Sequence, residues 1–575
     1  SVLSALLADR STLIGAFGDI EQSVWQAHNL GEVVSEGDAI LEDSFFGVET
    51  PFAYTPTALF QGFAYLGIEA VSGNAHFAYN FVVIVLVSLS FCAMYAVLRL
   101  LQLHPAACVV GGLIFALAPA TINHVYWHFG IWLTFLIPPY LYLLFRAKVD
   151  PQNLTTWALL GATTGGLLWM HEYFGVLAAL VTGFFLLRSL FATAPLVEKV
   201  SRVAVCSAVA FVLAAPVIVV HLEADAFSDE HGILKVRTAS EGMTFASTPA
   251  NYFFPADENF VYEALPEVFA HANKIEHLNY LGLLNIVAVM LVAIAATRGS
   301  SLLDNPPAPR FLSAFRWELI GIFLLAVIMS LGPLLFLNSN LVKLPVNLVY
   351  LYEIPVLDQI RSWGRFGIFA FAVVTFVTAH LLHRLFTGRR KRAVVGATVA
   401  LMVFVVVDQY PTDTLTHHEI ITPDAALDQI ESDPDNSFVL HLPLSTTDDA
   451  VGNATAQFFQ AIHGHPIVNG YAAFTNPEYE ARINSTPLGC LNLRTIIGIE
   501  LDGACSPEII SGFLQSQIGY IVYEKITPRW IDGVWGPDED FNARSKIEPL
   551  IAHLLSSGAY EEIYEDADYR ILRAR

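Results

Sequence analysis

Along the first four hundred residues the apolar positions come in nearly unbroken runs, with polar residues confined mostly to the gaps between them. Runs long enough to cross all or most of a ~30 Å hydrocarbon layer lie at 79–101, 106–121, 130–145, 155–170, 175–190, 203–220, 278–296, 319–337, 366–385 and 393–407. A helix that is apolar all round belongs in a large core or a bilayer, so the pattern predicts about ten membrane-spanning helices. Several runs fall short of twenty residues, as expected for helices held among other helices. Beyond residue 408 the pattern changes. Short apolar stretches at 438–442, 467–471, 496–501, 520–523 and 569–572 read as strands, and amphipathic ones at 507–517 and 547–555 as helices, an α/β or α+β arrangement. The predicted division is a first external loop (1–78), a multi-pass α-helical membrane domain (79–408) with a long loop at 221–277, and a C-terminal globular domain (409–575).

Composition supports this class: 54% of the residues are hydrophobic and 14% charged, a balance that soluble domains do not have. Charge then supplies direction. Of 30 basic and 53 acidic residues, 14 basic and only 4 acidic lie in one alternating set of loops, among them Arg146, Arg188 and the run Arg389 to Arg392. Basic loops stay in the cytoplasm, which puts the remaining loops and the C-terminal domain on one acidic, extracytoplasmic face of a plasma-membrane protein. Such a face argues against nucleic acid as a partner; it equally fits a high-salt habitat. The chain starts at Ser1 with no basic n-region, so a processed or trimmed chain is expected, and a further helix could precede it. Of five cysteines, Cys92, Cys108 and Cys206 fall in apolar runs, whereas Cys490 and Cys505 share the C-terminal domain and could form a disulfide there.

Candidate chemistry gathers at the external ends of the runs. Gly18-Asp19-Ile20-Glu21, with Trp25 beyond, places two carboxylates near the membrane surface. Either could take a proton from an incoming hydroxyl or bind a divalent cation, Mg or Mn; a solvated loop acid is the plainer alternative. His124 and His128 are spaced four apart, with Trp127 between them, and His171-Glu172-Tyr173 interrupts two runs. Metal binding by the histidines competes there with ordinary interfacial hydrogen bonding, and no residue is assigned as a metal ligand. Arg361 and Arg365 precede the run at 366 on the external side, against the charge rule. The arginine fork suits phosphate oxygens, with pairing to Asp358 or to lipid headgroups as the competing explanation.

In order along the chain, Gly18-Asp19 with Trp25, Ala78-Tyr79-Asn80, His171-Glu172-Tyr173-Phe174-Gly175, Glu276 with Tyr280-Leu281-Gly282, Ser330-Leu331-Gly332-Pro333, Leu344-Pro345, Arg361 with Arg365-Phe366, and Gly464 with Asn469-Gly470-Tyr471 form a recognisable series. With it the chain resembles the GT-C superfamily of polytopic membrane glycosyltransferases, an uncharacterised prokaryotic branch of it. The resemblance implies transfer of a sugar from a polyprenyl-phosphate donor to a glycan, lipid or protein acceptor on the external face. Asp19 matches the position of the catalytic base, with Glu21 and Glu172 as further acids. Arg361 and Arg365 would hold the departing phosphate, and His124, His128, His171 and Tyr173 would line the substrate site. Glu21 is separated from Asp19 by Ile20, so the paired acid of better-studied members is not clearly present and metal dependence stays open. A non-catalytic membrane assembly or scaffold protein that keeps the fold is the alternative. A transporter is a weaker third reading, because no broken helices recur in matching halves. Two sequons, at Asn453 and Asn484, fall on the predicted outer side.

Overall fold

The structure is a computed structural model that describes residues 12–14, 19–37, 39–41, 43–54, 59–127, 133–191, 193–233, 242, 245–255, 279–297, 310–332, 335–337, 340–342, 360–409, 417–419, 423–444, 450–470, 477–492, 506–525, 530–531, 534–535 and 538–575. The chain divides into two compact units, each discontinuous in sequence: Ser1–Phe81 with Val219–Leu234 and His417–Arg575, and Val82–Ile218 with Lys235–Thr416.

The second unit is a helical bundle. Among the described residues five helices are long and apolar enough to cross a membrane: Ala75–Leu100, Glu172–Leu190, Leu196–His231, Trp363–Phe386 and Lys391–Gln409. Leu283–Ile294 and Pro105–Ala116 are shorter apolar helices. The expected span at 106–121 is two helices, Pro105–Ala116 and Pro119–Trp127, because Pro119 has no N–H to carry the ladder across the joint. The expected span at 319–337 begins earlier, as Arg310–Ser330, and stops before Gly332, whose φ of 71° is a left-handed conformation suited to ending a helix. The segment expected to loop out from His221 is helical as far as His231. At 36 residues that helix is roughly 54 Å long, well beyond a hydrocarbon layer.

At the centre of the bundle Gly367–Phe386 is buried along most of its length. Small residues allow its neighbours to pack closely. A Cβ on Gly165 would come within 2.7 Å of the Ala210 carbonyl oxygen, and one on Gly161 would collide with the Cys206 carbonyl. Helix Leu154–Met170 therefore meets Leu196–His231 backbone to backbone, as helices do where lipid offers no hydrophobic drive for association. Polar side chains inside the bundle pair with one another: the hydroxyls of Tyr140 and Thr182 are 3.1 Å apart, and those of Thr164 and Thr182 3.0 Å.

The first unit joins the N-terminal segment to the C-terminal domain. Its four-stranded sheet runs in the order Tyr560–Glu565, Tyr569–Ala574, Ile518–Glu524, Phe438–Leu442, with the last pair parallel and the others antiparallel. Of the expected strand at 467–471, the described residues 467–470 carry only an isolated bridge between Ile467 and Val439, and 496–501 lies outside the described residues. Tyr560–Glu565 was not anticipated, because its glutamates hide the alternation. Helix Asp19–Glu36 packs on Ala450–His463, with Trp25 Nε1 donating to Gln460 Oε1 at 2.8 Å in a fully buried position. Residues 43–48 insert beside Phe438. The Ile467 N–H donates to the Asp43 carbonyl, the Phe46 N–H to the Ile467 carbonyl, and the Phe46 ring meets Phe438 edge-on at 5.1 Å. Phe45 and Phe46 both have positive φ, 55° and 57°. That conformation costs a non-glycine residue roughly 1–2 kcal/mol, sustained here by these bonds and by two buried rings. Cys490 is disulfide-bonded, whereas Cys92, Cys108 and Cys206 are free; Cys505 lies outside the described residues. The Asn453 sequon is not open to modification in this fold: its side chain is buried and accepts from Asn469, whereas Asn484 is exposed.

Candidate active site

Helices Leu154–Met170 and Glu172–Leu190 form a hairpin joined by a single residue, His171. His171 caps the second helix. Its Nδ1 lies 3.4 Å from the Tyr173 backbone N and 3.2 Å from Glu172 Oε2, so it accepts from the first when deprotonated and donates to the second when protonated. Tyr173 then points at the segment leading into Gly367–Phe386, where its hydroxyl accepts from the backbone N–H groups of Arg361 (3.1 Å) and Ser362 (2.9 Å). The same ring carries the Arg365 guanidinium 5.2 Å from its centroid and meets Phe366 edge-on at 5.7 Å. Arg361 lies 4.6 Å from the centre of the Phe245 ring, and among the described residues no carboxylate pairs with it.

This segment is fixed from behind as well. The Gly364 N–H donates to the Phe245 carbonyl at 3.0 Å, and its own carbonyl accepts from Asn279 Nδ2 at 2.7 Å. Asn279 also donates to Ser247 Oγ, and the Ser247 N–H donates to the Ser330 carbonyl at 2.8 Å. Any side chain at Gly367 would strike Asn279, so glycine is required for this close approach. Next to Asn279, Tyr280 donates to Asp408 Oδ1 at 2.9 Å, and Asp408 Oδ2 accepts from the Leu283 N–H at 2.8 Å, tying the end of helix Lys391–Gln409 to the start of Leu283–Thr297. The Tyr280-Leu281-Gly282, Ser330-Leu331-Gly332 and Arg361 to Phe366 motifs thus form one scaffold.

Among the residues singled out from the sequence, this unit brings together His171, Glu172, Tyr173, Arg361 and Arg365. His124 is buried on Pro119–Trp127, and His128 lies outside the described residues. Asp19 and Glu21 belong to the other unit. Asp19 is the first residue of its helix; Glu21 is buried, with Thr455 Oγ1 donating to its Oε2 at 3.1 Å. Phe245, Ser247 and Asn279 were not foreseen as supports of the arginine segment, although Asn279 directly precedes a motif that was noted. Among the described residues no three His, Cys, Asp or Glu side chains converge in the manner of a cation site.

The structure is similar along its full length to the mycobacterial arabinofuranosyltransferase AftD, with a TM-score of 0.56 at 12% identity, covering 39% of that protein. It also resembles ArnT from Cupriavidus metallidurans bound to undecaprenyl phosphate (TM-score 0.45, 12% identity, 99% of this chain and 96% of that one). The Archaeoglobus fulgidus oligosaccharyltransferase gives a TM-score of 0.42 at 11% identity, over 91% of this chain and 68% of that one. These two likenesses are too distant to add to the argument. The chain has the GT-C fold of membrane glycosyltransferases, and it spans about two fifths of the length of AftD. Its residues 69–412 match the family described as "Domain of unknown function (DUF6311)", and the chain belongs to that family. No curated protein sequence matches it.

Proposed function

We propose that this protein is a membrane glycosyltransferase that moves a sugar from a polyprenyl-phosphate-linked donor to an acceptor on the extracytoplasmic face. The observation that carries the reading is the Tyr173 clamp, which holds the Arg361 and Arg365 segment at the mouth of a helix hairpin in a GT-C fold. Two arginines at that depth meet the phosphate of a lipid-linked sugar with donors already positioned, and donors fixed in advance stabilise charge without reorganisation as it develops. In the proposed step an acceptor hydroxyl attacks the anomeric carbon and the Asp19 carboxylate takes its proton. The bond from that carbon to the phosphate oxygen breaks, and polyprenyl phosphate leaves with the electron pair, its new charge facing the arginines. The sugar's configuration inverts.

The purified full-length protein, Asp19→Asn and Arg361→Gln are assayed for transfer from a panel of polyprenyl-phosphate sugars. The reading expects turnover with at least one donor, and losses on the order of 10²-fold or more in both variants. Equal turnover by Asp19→Asn would remove that residue from the mechanism, and no turnover with any donor would favour the scaffold alternative.

A further inference from the structure

At the end of the hairpin opposite His171, four helix ends surround a cavity of about 610 Å³: those of Ile137–Val149, Leu154–Met170, Glu172–Leu190 and Leu196–His231. Its charged lining is Lys148, Arg188, Arg202 and Glu198. Behind it Glu318 accepts from both Lys148 and Arg188. Three cations therefore face two carboxylates. The donors are unevenly committed. Lys148 Nζ spends its three protons on the Ala314 carbonyl and on both Glu318 oxygens. Arg188 gives one nitrogen to Glu318 and remains 54% exposed. Arg202, almost wholly buried, gives one to Glu198 at 2.9 Å. Both guanidinium groups thus keep donors in reserve beside the cavity, while both carboxylates are engaged by cations.

The helix ends that carry the cavity also present exposed apolar side chains. Leu187, Phe191, Leu196 and Val197, on the same two helix ends, are between 54% and 81% exposed. Trp157 lines the wall with its Nε1 donating to the Pro151 carbonyl at 2.9 Å, a tryptophan placed as at a membrane interface.

We infer that this cavity binds the headgroup of an anionic glycerophospholipid from the leaflet on the side of the basic loops, with Arg188 and Arg202 on the phosphodiester and the acyl chains along the apolar rim. Basic pockets between transmembrane helices take such headgroups, and the guanidinium fork matches a phosphodiester's two free oxygens. A zwitterionic lipid fits less well, because Glu318 is already shared by two cations and Glu198 already pairs with Arg202, which leaves positive charge in excess around the cavity. The inference stands apart from the proposed transferase activity, since it concerns the other end of the hairpin and is read by binding.

The test uses the full chain in phosphatidylcholine nanodiscs, titrated with phosphatidylglycerol and read by thermal unfolding. Saturable stabilisation is expected from phosphatidylglycerol and none from inorganic phosphate. Arg188→Gln, which leaves the Lys148 to Glu318 pair in place, should weaken the apparent affinity about tenfold, whereas Arg316→Gln, basic but outside the cavity, should not change it. Equal weakening by the two variants would reduce the effect to general surface charge. Full stabilisation by inorganic phosphate would make this a site for a soluble anion, and no difference between the two lipids would end the proposal. Should Arg188→Gln not fold, a photoreactive phosphatidylglycerol on the unaltered protein should label residues 185–202; labelling spread evenly over all helices would count against the site.

Discussion

The hydroxyl of Tyr173 accepts the backbone N–H of Ser362 at 2.9 Å, across 189 positions of sequence. It accepts the Arg361 N–H as well, so one phenol oxygen sets the path of the chain between two arginines. Tyr173→Phe keeps the ring beneath Arg365 and removes only that acceptor. Leaving buried donors unmet costs roughly 1–3 kcal/mol. Amide exchange at 360–366 should accelerate while exchange in Gly367–Phe386 stays slow; unchanged exchange at 361 and 362 would show that the hydroxyl does not hold the segment.

Arg361→Gln and Arg365→Gln should differ. Arg361 rests on Phe245 and meets no carboxylate among the described residues, whereas Arg365 stacks on the clamp itself. If both serve donor phosphate, each raises KM for the lipid-linked sugar, and only the Arg365 variant also loosens the segment measured by exchange. Normal KM in both would move phosphate recognition elsewhere.

Glu318 is the shared acceptor of Lys148 and Arg188, and its side chain is 5% exposed. Glu318→Gln strands two cations. Removing one partner of a buried pair costs about 3–5 kcal/mol, and the partial exposure of the arginine places this case at or below the lower end. The variant should unfold at a clearly lower temperature in detergent, and the further change of Lys148 to Met should restore part of the loss. An unchanged midpoint in Glu318→Gln would mean the pair contributes nothing.

Acid should weaken the C-terminal domain before its carboxylates titrate. His441 and His463 are buried with rings 6.4 Å apart, and His465 follows at 6.0 Å from His463. Burial pushes His441 down to about 3, and burial together with the two neighbouring histidines pushes His463 well below its ordinary 6.5. Their folded values are depressed, so above pH 6.5 neither costs anything. As pH falls below 6.5 the unfolded chain takes up protons that the folded one refuses, and stability drops by about 1.4 kcal/mol per pH unit for each. The loss from His441 continues until about pH 3. Thermal unfolding between pH 7 and 5 checks this: His441→Phe should flatten the slope, and a slope unchanged by that substitution would exclude it as a source.

Much of the bundle was legible because apolar runs announce themselves without reference to the rest of the chain. The His171 hairpin and the arginine segment were visible as polar residues in places that a bilayer penalises. Pairing Tyr173 with Arg361 was not, since nothing local in either stretch encodes a bond spanning 188 positions. The same holds for Trp25 and Gln460, whose 2.8 Å bond makes the N-terminal segment part of the C-terminal fold. Leu154–Met170 and Glu172–Leu190 were readable as helices, but the glycine contacts that seat the first of them require a neighbour's backbone. Alternation failed for Tyr560–Glu565, where three glutamates occupy a strand paired to the arginines of Tyr569–Ala574.

Cys490 offers a check on sidedness independent of the loop charges. Disulfides persist where the cytoplasmic thiol pool does not reach, and Cys490 is bonded. In intact cells, a membrane-impermeant maleimide should modify the C-terminal domain only after reduction; labelling without reductant would contradict the bond.

The one-residue joint at His171 has a mechanical corollary. With no slack between two helices, the rotational phase of the second is locked to the first. One inserted residue would swing Tyr173 by about 100° around its axis and advance it about 1.5 Å, carrying its hydroxyl off the Arg361 amide. The hairpin is a gauge of fixed length, and the chain can vary in length around it but not within it.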